Sequence, residues 1–329
     1  MGLSDRLVNF WGGCVWAKAQ GPDTTLVSLW RSNTRQDPER AYDLTLLETP
    51  PGTRLVDQRL NRWWWHSVEA PFVYGCTQEV HMHALGVWCE VYPKTLRPLL
   101  LRQEPPVNVS LARLTKMYRE CVAGTRLQSS LAERYVPHTL LRQAVGVHIR
   151  RGDKVANVSN SPIDQTEEEW QGYYDAAAYY TAELVAAGVD AFFITSDDSA
   201  AAARFGAHVK RLGGRVVNDQ LPPTLVAEVA SRPGGEALVD LYRLAACRAV
   251  LLVARYSGFS FVAALLDRPT PVVVFQAGVL RAERKWLGVV HIVSLDGRNE
   301  TKKLLAAMGT PGRSPQLVAL PRHGAKGNP

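Results

Sequence analysis

The chain has 329 residues, of which 46% are hydrophobic and 21% are charged, a composition typical of a globular protein with one large core or two modest ones. No run reaches the roughly 18 apolar residues that a membrane span needs, which argues against a membrane-spanning protein. The formal net charge of +7 favours anionic partners such as phosphate, nucleotide or acidic glycan. No dense Lys/Arg tract is present, which argues against a nucleic-acid-binding protein.

Residues 1–140 form an irregular first part, with proline-rich breaks and aromatic blocks. Four of the five cysteines lie in this part, and none of the five has the spacing of a CxxC or Cys/His metal site. A disulfide framework is not indicated, although one bridge, such as Cys76 with Cys89, stays open for an oxidising compartment.

From residue 144 the pattern becomes regular, and short apolar runs alternate with longer helical stretches. This alternation predicts βαβ units and a parallel sheet with helices on both faces. Strands are predicted at 144–149, 190–196, 214–219, 249–254, 270–275 and 289–295. The glycines at expected helix C-caps are Gly188, Gly213 and Gly214. The last segment, residues 298–329, is predicted to be a largely disordered tail.

The first of these strands ends in a polar cluster that contains His148, Arg150, Arg151, Asp153 and Lys154. Ligands of open parallel sheets bind outside the carboxyl ends of the strands. Because side chains alternate along a strand, we expect His148 and Arg150 on one side and Arg151 on the other. A planar guanidinium at this place suits bidentate contact with a phosphate or diphosphate, and Asp153 is expected to hold one arginine. A salt-bridged surface loop is the alternative interpretation.

Polar residues also follow other predicted strands. They are Ser196, Asp197 and Asp198 after the second strand, and Asn218 and Asp219 after the third. After the fourth, residues 255–260 (RYSGFS) combine hydroxyl groups and a glycine at a helix start, where backbone N–H groups can bind an anion. We interpret Asp198 as the N-cap of the next helix and keep Asp197 as a site candidate. Several polar strand ends at one edge favour a nucleotide site.

The run GVHIRRGDK (146–154) resembles the first donor-binding motif of the GDP-fucose-dependent fucosyltransferases. It is similar in particular to the α1,6-fucosyltransferases that modify the core of N-glycans and rhizobial chitooligosaccharides. The order of further segments agrees over roughly residues 85–270, and these segments are VWCEVYPKTLRP (87–98), SPID (161–164), FFITSDDSAAAARF (192–205) and the stretch 236–266. The SGFSF turn also resembles the last motif of the α1,2-fucosyltransferases.

The resemblance implies an α/β fold of the GT-B type, in which two Rossmann-like domains face a cleft and the nucleotide lies on the C-terminal one. On this basis residues 1–140 form an acceptor-side domain that is incomplete or divergent, and residues 141–297 form the domain that binds the GDP-sugar. GDP-fucose is the donor substrate, and neither a cofactor nor a metal ion is implied.

The same resemblance implies roles for individual residues. Arg150 would bind the β-phosphate of GDP with His148 beside it, and Asp240 would read the guanine edge. The residues that line the diphosphate turn would be Ser257 and Gly258, and those that shape the loop for donor and acceptor would be Arg151, Asp153 and Lys154. We therefore predict catalytic roles for Arg150, Asp153 and Lys154, with Asp197 as a further donor contact.

The sequence departs from the family at the proposed general base. Asn157 and Val158 stand where the α1,6 enzymes carry an acidic residue. Asp164 is a candidate replacement, as are Asp153 and the three glutamates at 167–169. The family's second turn serine and a glutamine are not found in the turn at 256–260. From the sequence as given we expect neither the family's membrane anchor and stem nor an SH3-like domain after residue 300. The run FWGGCVW (10–16) resembles the family's glycine-rich N-terminal turn.

These observations give one leading function and one alternative of another class. The leading function is inverting transfer of fucose to a glycan or glycoprotein, with core fucosylation of protein N-glycans as the expected reaction. The alternative is a non-catalytic homologue that binds a nucleotide-sugar or a glycan and has lost its base. The resemblance implies the Golgi lumen, whereas the chain by itself, if complete, indicates a soluble cytoplasmic protein. The sequence does not indicate the acceptor or the oligomeric state.

Overall fold

A computed structural model describes residues 3–20, 26–30, 46–57, 111–155, 165–223, 229, 232, 234–267, 270–275, 290–295 and 300–308. The elements before residue 142 are α1 (Leu3–Gln20), β1 (Leu26–Trp30), β2 (Leu47–Glu48), β3 (Thr53–Asp57), α2 (Leu111–Ala123), β4 (Arg126–Leu127), α3 (Ser129–Tyr135) and α4 (His138–Leu141). The strands β1 and β3 pair in parallel, and β2 pairs with β4 in antiparallel fashion.

The later part of the chain alternates strands and helices. Its strands are β5 (Val145–Ile149), β6 (Ala191–Ser196), β7 (Arg215–Val216), β8 (Ala249–Val253), β9 (Val272–Phe275) and β10 (Ile292–Leu295). Its helices are α5 (Gly152–Val155), α6 (Glu167–Ala186), α7 (Ser199–Arg211), α8 (Gly235–Ala246), α9 (Gly258–Leu266) and α10 (Thr301–Met308), with a 3₁₀ turn at Val217–Gln220. Among the described helices, none has both the length and the apolar character needed to cross a bilayer.

Six of these strands form one parallel sheet in the order β10-β9-β8-β5-β6-β7. The chain runs from the centre at β5 outward to β7, then returns to β8 and runs outward to β10. Its direction therefore reverses between β5 and β8, which is the topological switch point of a doubly wound sheet. The predicted α/β class and parallel sheet are confirmed. The division at residues 140, 297 and 298 and the two-domain cleft stay predictions.

The sheet is buried on both faces because helices cover each of them. Every residue of β5 and β8 is buried, as expected for central strands of a parallel sheet. On one face the strands pack against α6, α7 and α10. On the other they pack against α8 and α9, and this core continues into α1 and α2. Helices from the first part of the chain therefore share a core with the sheet.

Gly146 marks a close approach between β5 and the end of α8. A Cβ atom at this position would lie 2.5 Å from Leu244 Cδ1 and 3.3 Å from Cys247 Sγ. A glycine inside a strand often marks such an approach. We expect Gly146→Ala to lower the free energy of unfolding by about 1–3 kcal/mol, because the added methyl group overpacks the core.

Gly172→Ala is the matched control for this prediction. Gly172 lies in α6, and a Cβ atom there would have no heavy atom within 4 Å. Alanine is the better helix former, so this change is expected to stabilise the protein by about 0.5–1 kcal/mol. Urea denaturation of both variants measures the difference, and effects of the same sign would contradict the close approach at Gly146.

The predicted glycine-rich turn at residues 10–16 is wrong, since this stretch lies inside α1. The buried residues of α1 recur at helical spacing, and they are Leu3, Leu7, Val8, Phe10, Trp11, Cys14 and Val15. The apolar stripe lets α1 pack against α2, and Trp11 Nε1 donates to Thr125 Oγ1 at 3.0 Å. Burial of this stripe outweighs the low helix propensity of the two glycines.

A disulfide between Cys14 and Cys121 joins α1 to α2. The two cysteines are 107 residues apart, so they meet only because the helices pack together, and their spacing carries no signal. The option of a Cys76–Cys89 bridge lies outside the described residues. Cys247 is buried and takes no part in a disulfide among the described residues, and its Sγ donates to Arg243 O at 3.3 Å.

Three local predictions need correction. Gly188 and Gly213 have positive φ and end helices as predicted, but Gly214 does not. A glycine is favoured at position 214 because a Cβ atom there would lie 2.9 Å from Val209 Cγ1. The predicted tail from residue 298 contains α10, because Leu304 and Met308 are buried in the core on one face of the six-stranded sheet. The strand predicted at 214–219 shortens to β7, followed by the 3₁₀ turn.

Candidate functional site

The site predicted from the strand ends lies at the carboxyl edge of the sheet, at the switch point. The last residue of β5, Ile149, pairs with Ser196 of β6 on one side and with Val253 of β8 on the other. Arg150 N donates to Val253 O at 3.3 Å, so the segments that follow β5 and β8 start side by side. The loops after these three strands therefore begin at one edge, which is where doubly wound sheets bind ligands.

Arg150 is held by Asp197, which follows β6. Arg150 Nη1 lies 2.9 Å from Asp197 Oδ2, and the two side chains are 32% and 23% exposed. Asp197 Oδ1 also accepts from Arg151 N at 2.9 Å. Asp197 thus performs the holding role predicted for Asp153. The side chains of Asp153 and Lys154, in α5, lie outside the described residues.

Arg151 is fixed on the other side of the sheet, as strand alternation predicts. Its guanidinium donates to Asp198 Oδ2 at 2.7 Å and to Glu167 Oε2 at 2.9 Å. The same group lies 5.0 Å from the ring centroid of Trp170 in α6. Asp198 caps α7 as predicted, and the bond from Ala201 N, followed by that from Arg151, lowers the pKa of its carboxyl.

His148 lies beneath the first turn of α9 on the opposite face. Its imidazole is 4% exposed, Nδ1 lies 2.7 Å from Ser260 Oγ, and the ring centroid is 4.9 Å from that of Phe259. Burial, and then the charge of Arg150, lowers the pKa of His148 to about 3. The imidazole is therefore neutral at physiological pH and supports α9 from below. Direct contact with a ligand stays a prediction.

Ser257 and Gly258 form the turn into α9 at the same edge. Ser257 is the N-cap and is buried, but its side chain makes no capping hydrogen bond. The first N–H groups of a helix have no partner within the helix and are suited to anions. A Cβ atom at Gly258 would lie 2.8 Å from Ser4 Oγ, so the start of α1 packs against this turn. No local pattern in the sequence indicates this contact.

Asp240 connects to His148 through Thr195. Asp240 Oδ2 accepts from Thr195 Oγ1 at 2.9 Å, and Thr195 pairs with His148 in the β5–β6 register. Asp240 Oδ1 lies 3.4 Å from Nη1 of Arg243, a buried arginine that also donates to two backbone carbonyls outside α8. Burial raises the pKa of Asp240, while Arg243 and Thr195 oppose that rise. Asp240 therefore lies on the same face of the sheet as His148, and a shared ligand site stays a prediction.

Two other predicted strand-end residues have structural roles. The Asn218 side chain accepts from Ile194 N at 2.8 Å and donates to Ile194 O at 2.7 Å, so its amide continues the pairing of β6 beyond β7. Asp219 pairs with Lys210 at the surface. Neither residue is brought to the switch point.

Two residues at this edge, Gln165 and Arg255, were not predicted from the sequence. Gln165 is buried and bonds to backbone atoms of Arg150 and Arg255. Arg255 Nη2 lies 2.5 Å from Glu169 Oε1. Arg255 lies two residues after the end of β8, so the rule that selected Arg150 could have found it. A single glutamine carries no such signal.

Among the candidate bases that the structure describes, Glu167 and Glu169 are paired and Glu168 is exposed. Glu167 pairs with Arg151, and Glu169 pairs with Arg255 and also accepts from Thr166 N in a capping box. Asp164 lies outside the described residues. Within the described ranges, no group of three His, Cys, Asp or Glu side chains is placed to hold a metal ion.

The chain matches no family model and no curated protein. Among solved structures it is similar to two crystal structures of NodZ α-1,6-fucosyltransferase, one soaked with GDP-fucose and one co-crystallized with GDP. The sequences are 18% identical, and each comparison covers 82% of this chain and 90% of the other. The TM-scores are 0.43 and 0.41.

Proposed function

We propose that this chain is an inverting glycosyltransferase that moves fucose from GDP-fucose to a glycan acceptor. The arrangement at the switch point carries the proposal. The Arg150 guanidinium is held by Asp197 and lies at the same edge of the sheet as the turn into α9. An arginine and a helix N-terminus at this edge suit a diphosphate. The likeness of residues 146–154 to the fucosyltransferase donor motif favours GDP-fucose as the source of that diphosphate.

The proposed chemistry needs stabilisation of a departing diphosphate. The bond between the fucose anomeric carbon and the β-phosphate oxygen breaks, while the acceptor hydroxyl oxygen bonds to that carbon from the opposite face and loses its proton to a base. Substitution at a sugar anomeric carbon passes through an oxocarbenium-like state, so negative charge builds on GDP. Arg150 and the N–H groups that open α9 are the donors for this charge. One such donor is typically worth about 3 kcal/mol of barrier.

Asp240 is proposed to bind the guanine edge. A carboxylate can accept two N–H bonds from that edge, and Thr195 and Arg243 fix the orientation of the Asp240 carboxylate. The remaining details rest on the family resemblance. They are the protein N-glycan core as acceptor, the α1,6 linkage, the Golgi lumen, and turnover without a cofactor or a metal ion.

A non-catalytic nucleotide-sugar binder is the second candidate. It is favoured by the pairing of two of the three described glutamates, since Glu167 and Glu169 are each engaged with an arginine, whereas Glu168 is exposed. Under this alternative the donor pocket is kept and turnover is lost.

A GDP-release assay separates these candidates. We expect GDP release from GDP-fucose, and not from other GDP-sugars, in the presence of an N-glycan acceptor. The rate should be unchanged by EDTA, because the donors that replace a metal ion are Arg150 and backbone N–H groups. Calorimetric binding of GDP-fucose without GDP release on a panel of glycans would favour the binder. Loss of activity in EDTA that manganese restores would contradict metal-independent turnover.

A further inference from the structure

Gln165 is a buried amide that joins the two loops of the switch point. The residue is 7% exposed. Its Nε2 donates to Arg150 O at 3.3 Å, and its Oε1 accepts from Arg255 N at 3.1 Å. One side chain therefore connects the backbone just beyond β5 with the backbone just beyond β8.

Few side chains can replace glutamine in this bridge. The bridge needs a donor and an acceptor on one group, which a primary amide supplies and a carboxylate or an apolar chain does not. Without it, the half-buried Arg150 carbonyl and Arg255 N–H group would each lose this bond, and polar groups withdrawn from water are costly to leave unpaired.

The segment after Gln165 adds a second attachment to the same loop. Thr166 begins α6 with a capping box in which its side chain accepts from Glu169 N. One carboxylate oxygen of Glu169, Oε2, accepts from Thr166 N. The other, Oε1, binds the Arg255 guanidinium at 2.5 Å. The start of α6 thus holds the chain after β8 through both its backbone and a side chain.

We propose that Gln165 is the positioning residue that sets the gap between the two sides of the diphosphate site. One side is Arg150, and the other is the turn at Ser257 and Gly258 that opens α9. The inference deepens the proposed function and rests on it, since it requires a diphosphate between these loops. When the bridge is lost the loops separate, and a group that must contact both sides binds less tightly.

The test compares GDP with guanosine, because only GDP carries the diphosphate. We expect Gln165→Met to lower GDP affinity about tenfold, the equivalent of roughly 1.4 kcal/mol, and to change guanosine affinity less than about twofold. Methionine keeps the length and the burial of the side chain and removes both hydrogen bonds. Gln220→Met is the control for the substitution, since Gln220 is exposed and, within the described part of the chain, its side chain accepts from Arg215 at the surface. Calorimetry gives the affinities, and a thermal melt shows whether each variant folds.

Gln165→Asn provides a second variant if Gln165→Met does not fold. The shorter amide can reach one loop and not both. The GDP affinity of Gln165→Asn should therefore be lower than that of the wild-type protein, by less than the tenfold loss expected for Gln165→Met. An equal loss for GDP and guanosine would overturn the inference in favour of a general structural role, and unchanged GDP affinity would also overturn it. A wild-type protein that binds GDP no better than guanosine would instead overturn the proposed function.

Discussion

Replacing Arg150 by lysine is expected to lower GDP affinity by at least about tenfold and turnover by roughly 100-fold or more. Lysine keeps the charge but loses the planar fork that can engage Asp197 and two phosphate oxygens at once. The larger effect on turnover follows because the charge on the leaving diphosphate is greatest in the transition state. Calorimetry with GDP and a GDP-release assay measure the two effects.

Arg151→Lys is the matched control for this change. Arg151 follows Arg150 in the chain, but Asp198, Glu167 and Trp170 hold it on the other side of the sheet. We therefore expect its replacement to affect stability and loop order more than GDP affinity. Wild-type GDP affinity in a folded Arg150→Lys protein would show that the end of β5 does not bind a diphosphate. Equal losses in both variants would contradict the assignment of the two arginines to different faces.

The central sheet could be predicted because its pattern is local. The run from 144 to 149 is apolar, ends in charged residues and becomes β5, and the same holds for the strand that ends at Ser196. Alternation also placed Arg151 on the face opposite to His148. Such features depend on residues that are close in sequence, which a single sequence contains.

The partners of the site residues could not be predicted, because they depend on strand order. The carboxylate that holds Arg150 is Asp197, 47 residues later in the chain, and the nearer Asp153 was the expected partner. The pairing of β5 with β6 brings the two side chains together. The Gln165 bridge likewise requires β5 and β8 to be neighbours, although 90 residues separate Gln165 from Arg255.

The first part of the chain was predicted least well. Its helix α1 carries two glycines, and only the buried stripe against α2 and α9 explains why it is helical. The disulfide between Cys14 and Cys121 follows from the same packing. This region also reaches the candidate site, since Ser4 lies against Gly258. Tertiary contacts of this kind override local propensity.

The buried imidazole of His148 should make the protein sensitive to acid. Its pKa is about 3 in the folded protein, against an ordinary value of about 6.5 in the unfolded chain. Between these values the unfolded chain binds a proton that the folded protein does not bind. The free energy of unfolding therefore falls as the pH falls from 6.5 towards 3, and the contribution is fully present above 6.5. The loss is about 2 kcal/mol between pH 7 and pH 5 and about 4 kcal/mol between pH 7 and pH 3.

His148→Asn isolates this contribution. The asparagine side chain can keep the bond that His148 Nδ1 makes with Ser260 Oγ, and it does not titrate. The variant loses the ring contact with Phe259, so it should be less stable at pH 7, where no proton is involved. That deficit should shrink on acidification by about the 2 kcal/mol that the imidazole loses between pH 7 and pH 5. Carboxylates elsewhere titrate equally in both proteins and cancel in the difference. Urea denaturation at several pH values gives the free energy of unfolding of both proteins. If the two pH profiles are parallel, burial does not lower the pKa of His148 in the folded protein.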